Sequence, residues 1–356
     1  MNRIPECFRN CSNVSFAALN SSSGFVSYFD ETFSHEKLNR LIVLKGGPGT
    51  GKSTLLKTAA KRLEEGGESV EYYLCSSDES SLDGVLFPER KIAIVDGTAP
   101  HTVEARYPMV FEELFDTARF LNREKLSEKR ENVFDLTREK RACYARAYHL
   151  LKMAGEVERQ GHEQISTALN RGKMQAAAER FFFRRLKGAE HGEILHRQIT
   201  AFGGSGKIHT DSFSTGATAI YTIGSFWGAG REFLSCLLSL AQKHGVCAGV
   251  SYDPLCPTLP ESLFFAERNV LVCIGEETEG AEKINMLRFL SAEVLRRRRN
   301  HLRLLKQCSD ALISESEAAF EDARAIHAQL EEIYVEAMDF EGLNKMWEET
   351  FAGIFR

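Results

Sequence analysis

The feature that most constrains this chain is a repeat within it: the segment from Leu41 to Gly97 recurs in degraded form from about Ala219 to Gly275. LIVLKGGPGTGKSTLL (Leu41 to Leu56) aligns with AIYTIGSFWGAGREFLS (Ala219 to Ser235), so that Gly49 and Gly51 face Gly228 and Gly230. Farther on, LFPERKIAIVDG (Leu86 to Gly97) aligns with FFAERNVLVCIG (Phe264 to Gly275), sharing a Glu-Arg pair and the apolar run after it. A shorter match sets SSSGFV (Ser21 to Val26) against GGSGKI (Gly203 to Ile208). A duplicated chain is expected to fold into two like units. A length of 356 residues agrees, since one core rarely grows past about 250 to 300 residues. The expected division is 1–198 and 199–356.

Each copy reads as α/β. In the first, the apolar runs Leu41 to Leu44, Val70 to Leu74 and Ile92 to Val95 are strands, and Lys52 to Glu64 is a helix carrying Leu55, Leu56 and Leu63, ended by Gly66-Gly67. Short, wholly apolar strands suit a buried parallel sheet flanked by helices. From about Phe111 to Gln198 there is no proline, and Ala, Leu, Glu, Lys and Arg dominate, which favours long helices with breaks near Gly155, Gly161, Gly172 and Gly188. Between Gly280 and Gly342 there is neither glycine nor proline, and Leu287, Leu290, Val294, Leu304, Cys308 and Ala311 recur at three and four spacing, as in a helical hairpin or short coiled coil. Each copy is therefore expected to carry a helical arm, about 105–198 in the first and about 280–356 in the second.

The chemistry concentrates in Gly46-Gly47-Pro48-Gly49-Thr50-Gly51-Lys52-Ser53, which fits G-x-x-x-x-G-K-[ST] and lies between an apolar strand and a helix start. Glycines there let successive backbone N–H groups turn inward as an anion nest, and the helix start adds the positive end of its dipole. In such a nest Lys52 bridges the terminal phosphates, Ser53 places its hydroxyl on Mg²⁺, and Thr54 reaches an inner phosphate. Asp96, closing the apolar run Ile92 to Val95, is the candidate second magnesium ligand, because the ends of neighbouring parallel strands meet at one edge. Gly97 follows it, where many ATPases of this type have a water-activating glutamate. His101, Asp78 and Asp83 are the candidates for positioning water, against a plain reading as turn and loop residues.

On GGPGTGKSTLLK, CSSDESSLDG (Cys75 to Gly84), IAIVDGTAPH (Ile92 to His101) and the second, related half, the chain resembles the P-loop NTPase superfamily, and more narrowly a family of tandem P-loop ATPase-like proteins. The resemblance implies two tandem P-loop domains, ATP or another NTP with Mg²⁺ as ligands, and catalytic work at Lys52 and Asp96, with His101 as the water-positioning candidate. The second copy departs from the pattern: Arg231, Glu232 and Ile274 stand where the lysine, hydroxyl and acid would be, and Phe226-Trp227 fill the loop. It is expected to be a scaffold without nucleotide. The activity expected is a Mg-dependent ATPase or nucleotide switch, with a small-molecule kinase or a non-hydrolysing interaction protein as the alternatives and the oligomeric state left open.

Composition narrows the partners. A formal charge of -5 gives no whole-protein field for nucleic acid or an anionic membrane. The one dense basic run, Arg296 to Arg299 with His301, Arg303 and Lys306, circles its helix instead of forming a stripe, so a nucleic-acid partner is not expected, whereas a protein partner on the arms is. Nine scattered cysteines without a C-x-x-C pair, and an N-terminus lacking an apolar run, lead to the expectation of a reduced, cytoplasmic protein. Gly203 to Lys207 reads as a turn, Phe181 to Arg185 as a buried helix end, and His191 with His196 as a pair too far around a helix to share a metal.

Overall fold

A computed structural model describes residues 13–188, 192–275 and 280–355. Two of the nine cysteines, Cys7 and Cys11, and His191 lie outside them. The first half runs β1 (Val14–Ser15), β2 (Ala18–Ser21), β3 (Gly24–Ser27), α1 (Phe29–Thr32), β4 (Arg40–Lys45), α2 (Lys52–Glu65), β5 (Glu71–Leu74), β6 (Leu82–Phe87), β7 (Ile92–Asp96), β8 (Glu112–Asp116), α3 (Arg123–Glu128), α4 (Arg130–Ser166) and α5 (Arg171–Phe181). The second runs β9 (Ile194–His196), β10 (Thr200–Gly203), β11 (Gly206–His209), α6 (Ser212–Thr215), β12 (Ala219–Ile223), α7 (Ala229–Lys243), β13 (Ala248–Asp253), β14 (Cys256–Phe265), β15 (Val270–Ile274), β16 (Glu282–Ile284), α8 (Ala292–Glu336) and α9 (Phe340–Ile354).

The chain is α/β, and the repeat is visible strand by strand. One six-stranded sheet has the order β1-β5-β6-β7-β4-β8, and the other, read from β9, has the order β9-β13-β14-β15-β12-β16. The expectation of a parallel sheet is corrected. Both sheets are mixed, because β6 lies antiparallel to β5 and β7, as β14 does to β13 and β15. The connections 75–81 and 88–91 explain it, being shorter than the roughly dozen residues that a parallel crossover needs. Asp83 and Gly84 gave Leu82–Phe87 the look of a turn, yet Asp83 is buried within the strand.

The hairpins β2-β3 and β10-β11, one from each half, join edge to edge in a four-stranded antiparallel sheet. Asn20 donates to the Phe202 carbonyl at 2.8 Å across this joint and accepts from the Tyr148 hydroxyl at 2.7 Å. Gly203 to Lys207, which looks like a phosphate loop at a glance, is the turn of β10-β11 and its flanks.

The arms are single long helices. α4 passes through Gly155 and Gly161 without the expected breaks, because both positions are close contacts: a Cβ at Gly155 would lie 2.6 Å from Ser22 Cβ, and one at Gly161 only 1.9 Å from the Trp227 ring. α4 and α8 pack antiparallel around Ala147, Leu151, Ala154, Ala319 and Phe320. Their contacts run in opposite order along the two helices, from Lys140–His327 (3.1 Å) through Ser316 to Ala147 O (3.1 Å) to Arg298–Gln164 O.

Each arm then crosses to the other half. Leu343, Trp347 and Ile354 of α9 complete the core between α2 and the first sheet, while Ile165, Met174, Ala177, Ala178 and Phe182, from the end of α4 and from α5 onward, complete the core around α7 and the second sheet. Among the described residues no helix is long and apolar enough to cross a membrane.

Candidate functional site

The loop 46–51 leaves the end of β4 and enters α2 with Gly51 in the left-handed region (φ 85°) and Gly49 likewise (φ 66°). At Gly49 the space is also closed: a Cβ there would lie 2.7 Å from the Glu331 main-chain oxygen. Thr50 donates its hydroxyl to the Gly47 carbonyl at 2.8 Å, and the Thr117 hydroxyl bridges Thr50 (2.8 Å) and the Lys45 carbonyl (2.9 Å), fixing the loop to the end of β8.

Lys52 is buried, its ammonium donating to the carbonyls of Gly47 (2.6 Å) and Gly46 (3.2 Å) and lying 3.6 Å from Asp96 Oδ2. β4 and β7 are adjacent and in register from Arg40↔Ile92 to Leu44↔Asp96, which is what brings the end of one strand to the end of the other. Asp96 is held in turn by the Thr98 N–H (2.9 Å) and hydroxyl. Ser53 accepts from the Leu82 N–H at 3.1 Å, and Thr54 is exposed on the first turn of α2. Lys52 and Asp96 are thus brought together, Ser53 faces the start of β6, and Pro48 lies partly buried in the loop.

His101 is buried, stacked on Phe29 with 4.7 Å between ring centroids, and its Nε2 is 3.7 Å from Asp83 Oδ1. Neither ring nitrogen has a hydrogen-bond partner among the described residues. Burial pushes the Asp83 carboxyl up to about 6; Asp96 adds to the rise and His101 opposes it. The structure therefore joins His101 to Asp83, and Asp83 electrostatically to the partly exposed Asp96. A carboxyl with that value exchanges a proton near neutral pH. Asp78 serves its own turn, accepting from Ser80 and Ser81.

What the sequence did not disclose is the cover of the loop. The last turn of α8 lies on it: a Cβ at Gly47 would be 2.9 Å from the Tyr334 ring, the Glu331 main chain packs on Gly49, whose backbone stabilises the Glu331 carboxylate electrostatically, and Leu343 and Phe340 of α9 back Gly51. These residues lie some 280 positions from the loop, and no local spacing signals the contact.

As a donor set, two left-handed glycines, a buried lysine, a hydroxyl and a carboxylate gather at the start of α2, a chemistry that suits an anion with its counter-cation. Among the described residues no three His, Cys, Asp or Glu side chains form a metal cage.

The related place in the second half is filled by its own side chains. Trp227 packs on Gly161, His162 sits 3.0 Å from a Cβ built at Gly228, and Glu232 binds His162 (2.7 Å) and Arg171 (3.1 Å). Arg231 is buried in an ion pair with Asp253, with Glu158 at 3.8 Å. Arg231→Ala is expected to cost about 3–5 kcal/mol of stability, as it strands a buried carboxylate, and to leave nucleotide affinity unchanged. Urea denaturation alongside ligand titration checks both, and an Arg231→Ala protein of normal stability with lost affinity would put a ligand at this loop instead.

A family model described as Nephrocystin 3, N-terminal matches residues 26–86, a stretch that contains Gly46 to Ser53 and stops before Asp96. The match covers far less than half of the chain and does not by itself assign it to the P-loop NTPases. No curated protein and no solved structure matches the chain.

Proposed function

We propose that the first half binds a magnesium nucleoside triphosphate, ATP or a close relative, in the Gly46 to Ser53 loop, and that the protein is a nucleotide-dependent switch with slow hydrolysis. In this reading the two halves are tandem P-loop units, and the second serves as scaffold. Lys52 and the loop N–H groups hold the phosphates, Ser53 and Asp96 hold the metal, and the magnesium ion would supply charge neutralisation between phosphate oxygens. Asp83, buried beside His101 and electrostatically coupled to Asp96, is the acid–base candidate of this reading.

The observation that carries the switch is the position of α8. Its last turn brings the partial negative charge of a helix C-terminus, together with the Glu331 carboxylate, onto a loop built to attract anions. A triphosphate at the same point adds several negative charges and works against that contact. Because α8 pairs with α4 along its length and leads into α9, a shift of this turn is felt in both cores.

Titration calorimetry with Mg·ATP is expected to give close to one site per chain. Asp96→Asn should retain much of the nucleotide affinity while moving its magnesium dependence to higher concentrations, since the shape stays and the charge goes. A stoichiometry near two would place a second nucleotide in the filled loop, and an unchanged magnesium titration in Asp96→Asn would remove Asp96 from the metal.

A further inference from the structure

The charges around the glycine loop do not all belong to the first sheet. Lys140 comes from α4, and His327 and Glu331 come from α8. Lys140 Nζ lies 3.1 Å from His327 Nδ1, His327 Nε2 lies 3.7 Å from Glu331 Oε1, and the Glu331 main chain packs on Gly49, whose backbone favours the charged Glu331 carboxyl. The three also interact electrostatically with Lys52, and His327 and Glu331 with Asp78. Burial, with Lys140 beside it, pushes His327 down to about 4, so near neutral pH its ring is uncharged and Nδ1 accepts from the Lys140 ammonium. Lys140 is itself partly buried, and no carboxylate pairs with it at ion-pair distance among the described residues. The neutral imidazole does not neutralise this lysine, and burial, which lowers the Lys140 pKa against the pull of Glu331, leaves a charge that a further anion would compensate. Burial raises the Glu331 pKa, while the Gly49 backbone, Lys52 and Lys140 all favour its charged form, so this corner of the loop is electrostatically suited to an anion.

Resting on the triphosphate reading above, we propose that Lys140 is a second phosphate-binding cation of this site, supplied by the arm, and that Glu331 holds the Gly49 position until the terminal phosphate of a nucleoside triphosphate displaces it. The site is then shared between the two halves, and the third phosphate is the part of the ligand that α4 and α8 read. A diphosphate, with less charge to offer, is held by the loop and Lys52 alone.

The test is equilibrium binding of Mg·ATP and Mg·ADP, by calorimetry, to the full-length protein and to Lys140→Ala, Glu331→Gln and Lys52→Ala. Lys140→Ala is expected to weaken ATP about tenfold or more, the loss of one charge-assisted contact, and ADP less than about twofold. Glu331→Gln is expected to tighten ATP severalfold, because the competing charge is gone. Equal loss of ATP and ADP in Lys140→Ala, or no loss of either, overturns the proposal, as does weaker ATP binding by Glu331→Gln. Lys52→Ala separates the two levels: if it loses both nucleotides while Lys140→Ala fails to discriminate, the nucleotide site stands and only the role of the arm falls. A wild-type protein that binds neither nucleotide, or a Lys52→Ala protein that binds both normally, overturns the site and the role of the arm together.

Discussion

Lys52→Ala should weaken triphosphate binding about a hundredfold or more while the protein stays folded. The ammonium of Lys52 is buried at the mouth of α2, 3.6 Å from Asp96, and the loop carbonyls of Gly46 and Gly47 hold it in place. Two charge-assisted hydrogen bonds to phosphate, at about 1.5 kcal/mol each, amount to about that factor, and the loss also leaves Asp96 without its nearest cation. The fold should survive because alanine has a high helix propensity, and the freed carbonyls lie in a partly exposed loop. Calorimetry with ATP, set beside circular dichroism melts of both proteins, checks it. Equal affinity in a folded variant would show that the loop is a glycine-rich turn without a ligand.

The second large effect is on stability. Trp347 of α9 is 1% exposed, packed edge to face on Phe115 of β8 at 5.2 Å, and it belongs to the core of the first sheet although it stands in the last turns of the chain. Trp347→Ala should cost about 3–5 kcal/mol, seen as a lower urea midpoint with an unchanged slope. The same packing predicts that a chain ending at Gln198 does not fold, since it lacks Leu343, Trp347 and Ile354 and leaves the α2 face of the sheet open. A cooperative melt from residues 1–198 alone would show that α9 only rests on a core that is complete without it.

Much of the site was legible because its logic is local. Gly46 to Ser53 announces a strand-to-helix turn by its glycines, and Asp96 announces a strand end by the apolar run before it; the adjacency of β4 and β7 then brings Lys52 and Asp96 together. Legibility stopped at Asp83, where an acid and a glycine inside a buried strand read as a turn. It stopped again at Lys140, His327 and Glu331, ordinary residues on their own helices that the packing of α4 on α8 brings toward the loop.

The sequence by itself determined the repeat, the α/β character, the glycine loop and the helical nature of the two arms, though not that each arm is built on one unbroken helix. Each of these rests on the period of apolar residues or on the backbone freedom of a few glycines within one segment. Only the tertiary structure decided which core each helix completes. An amphipathic face records that a helix needs an apolar partner, and nothing in its spacing says which one. Here length decides: at about 1.5 Å per residue, arms of 37 and 45 residues carry α5 and α9 beyond the sheets they follow in the chain. Each half is finished by the other, and the glycine loop of the first comes to lie under the arm of the second.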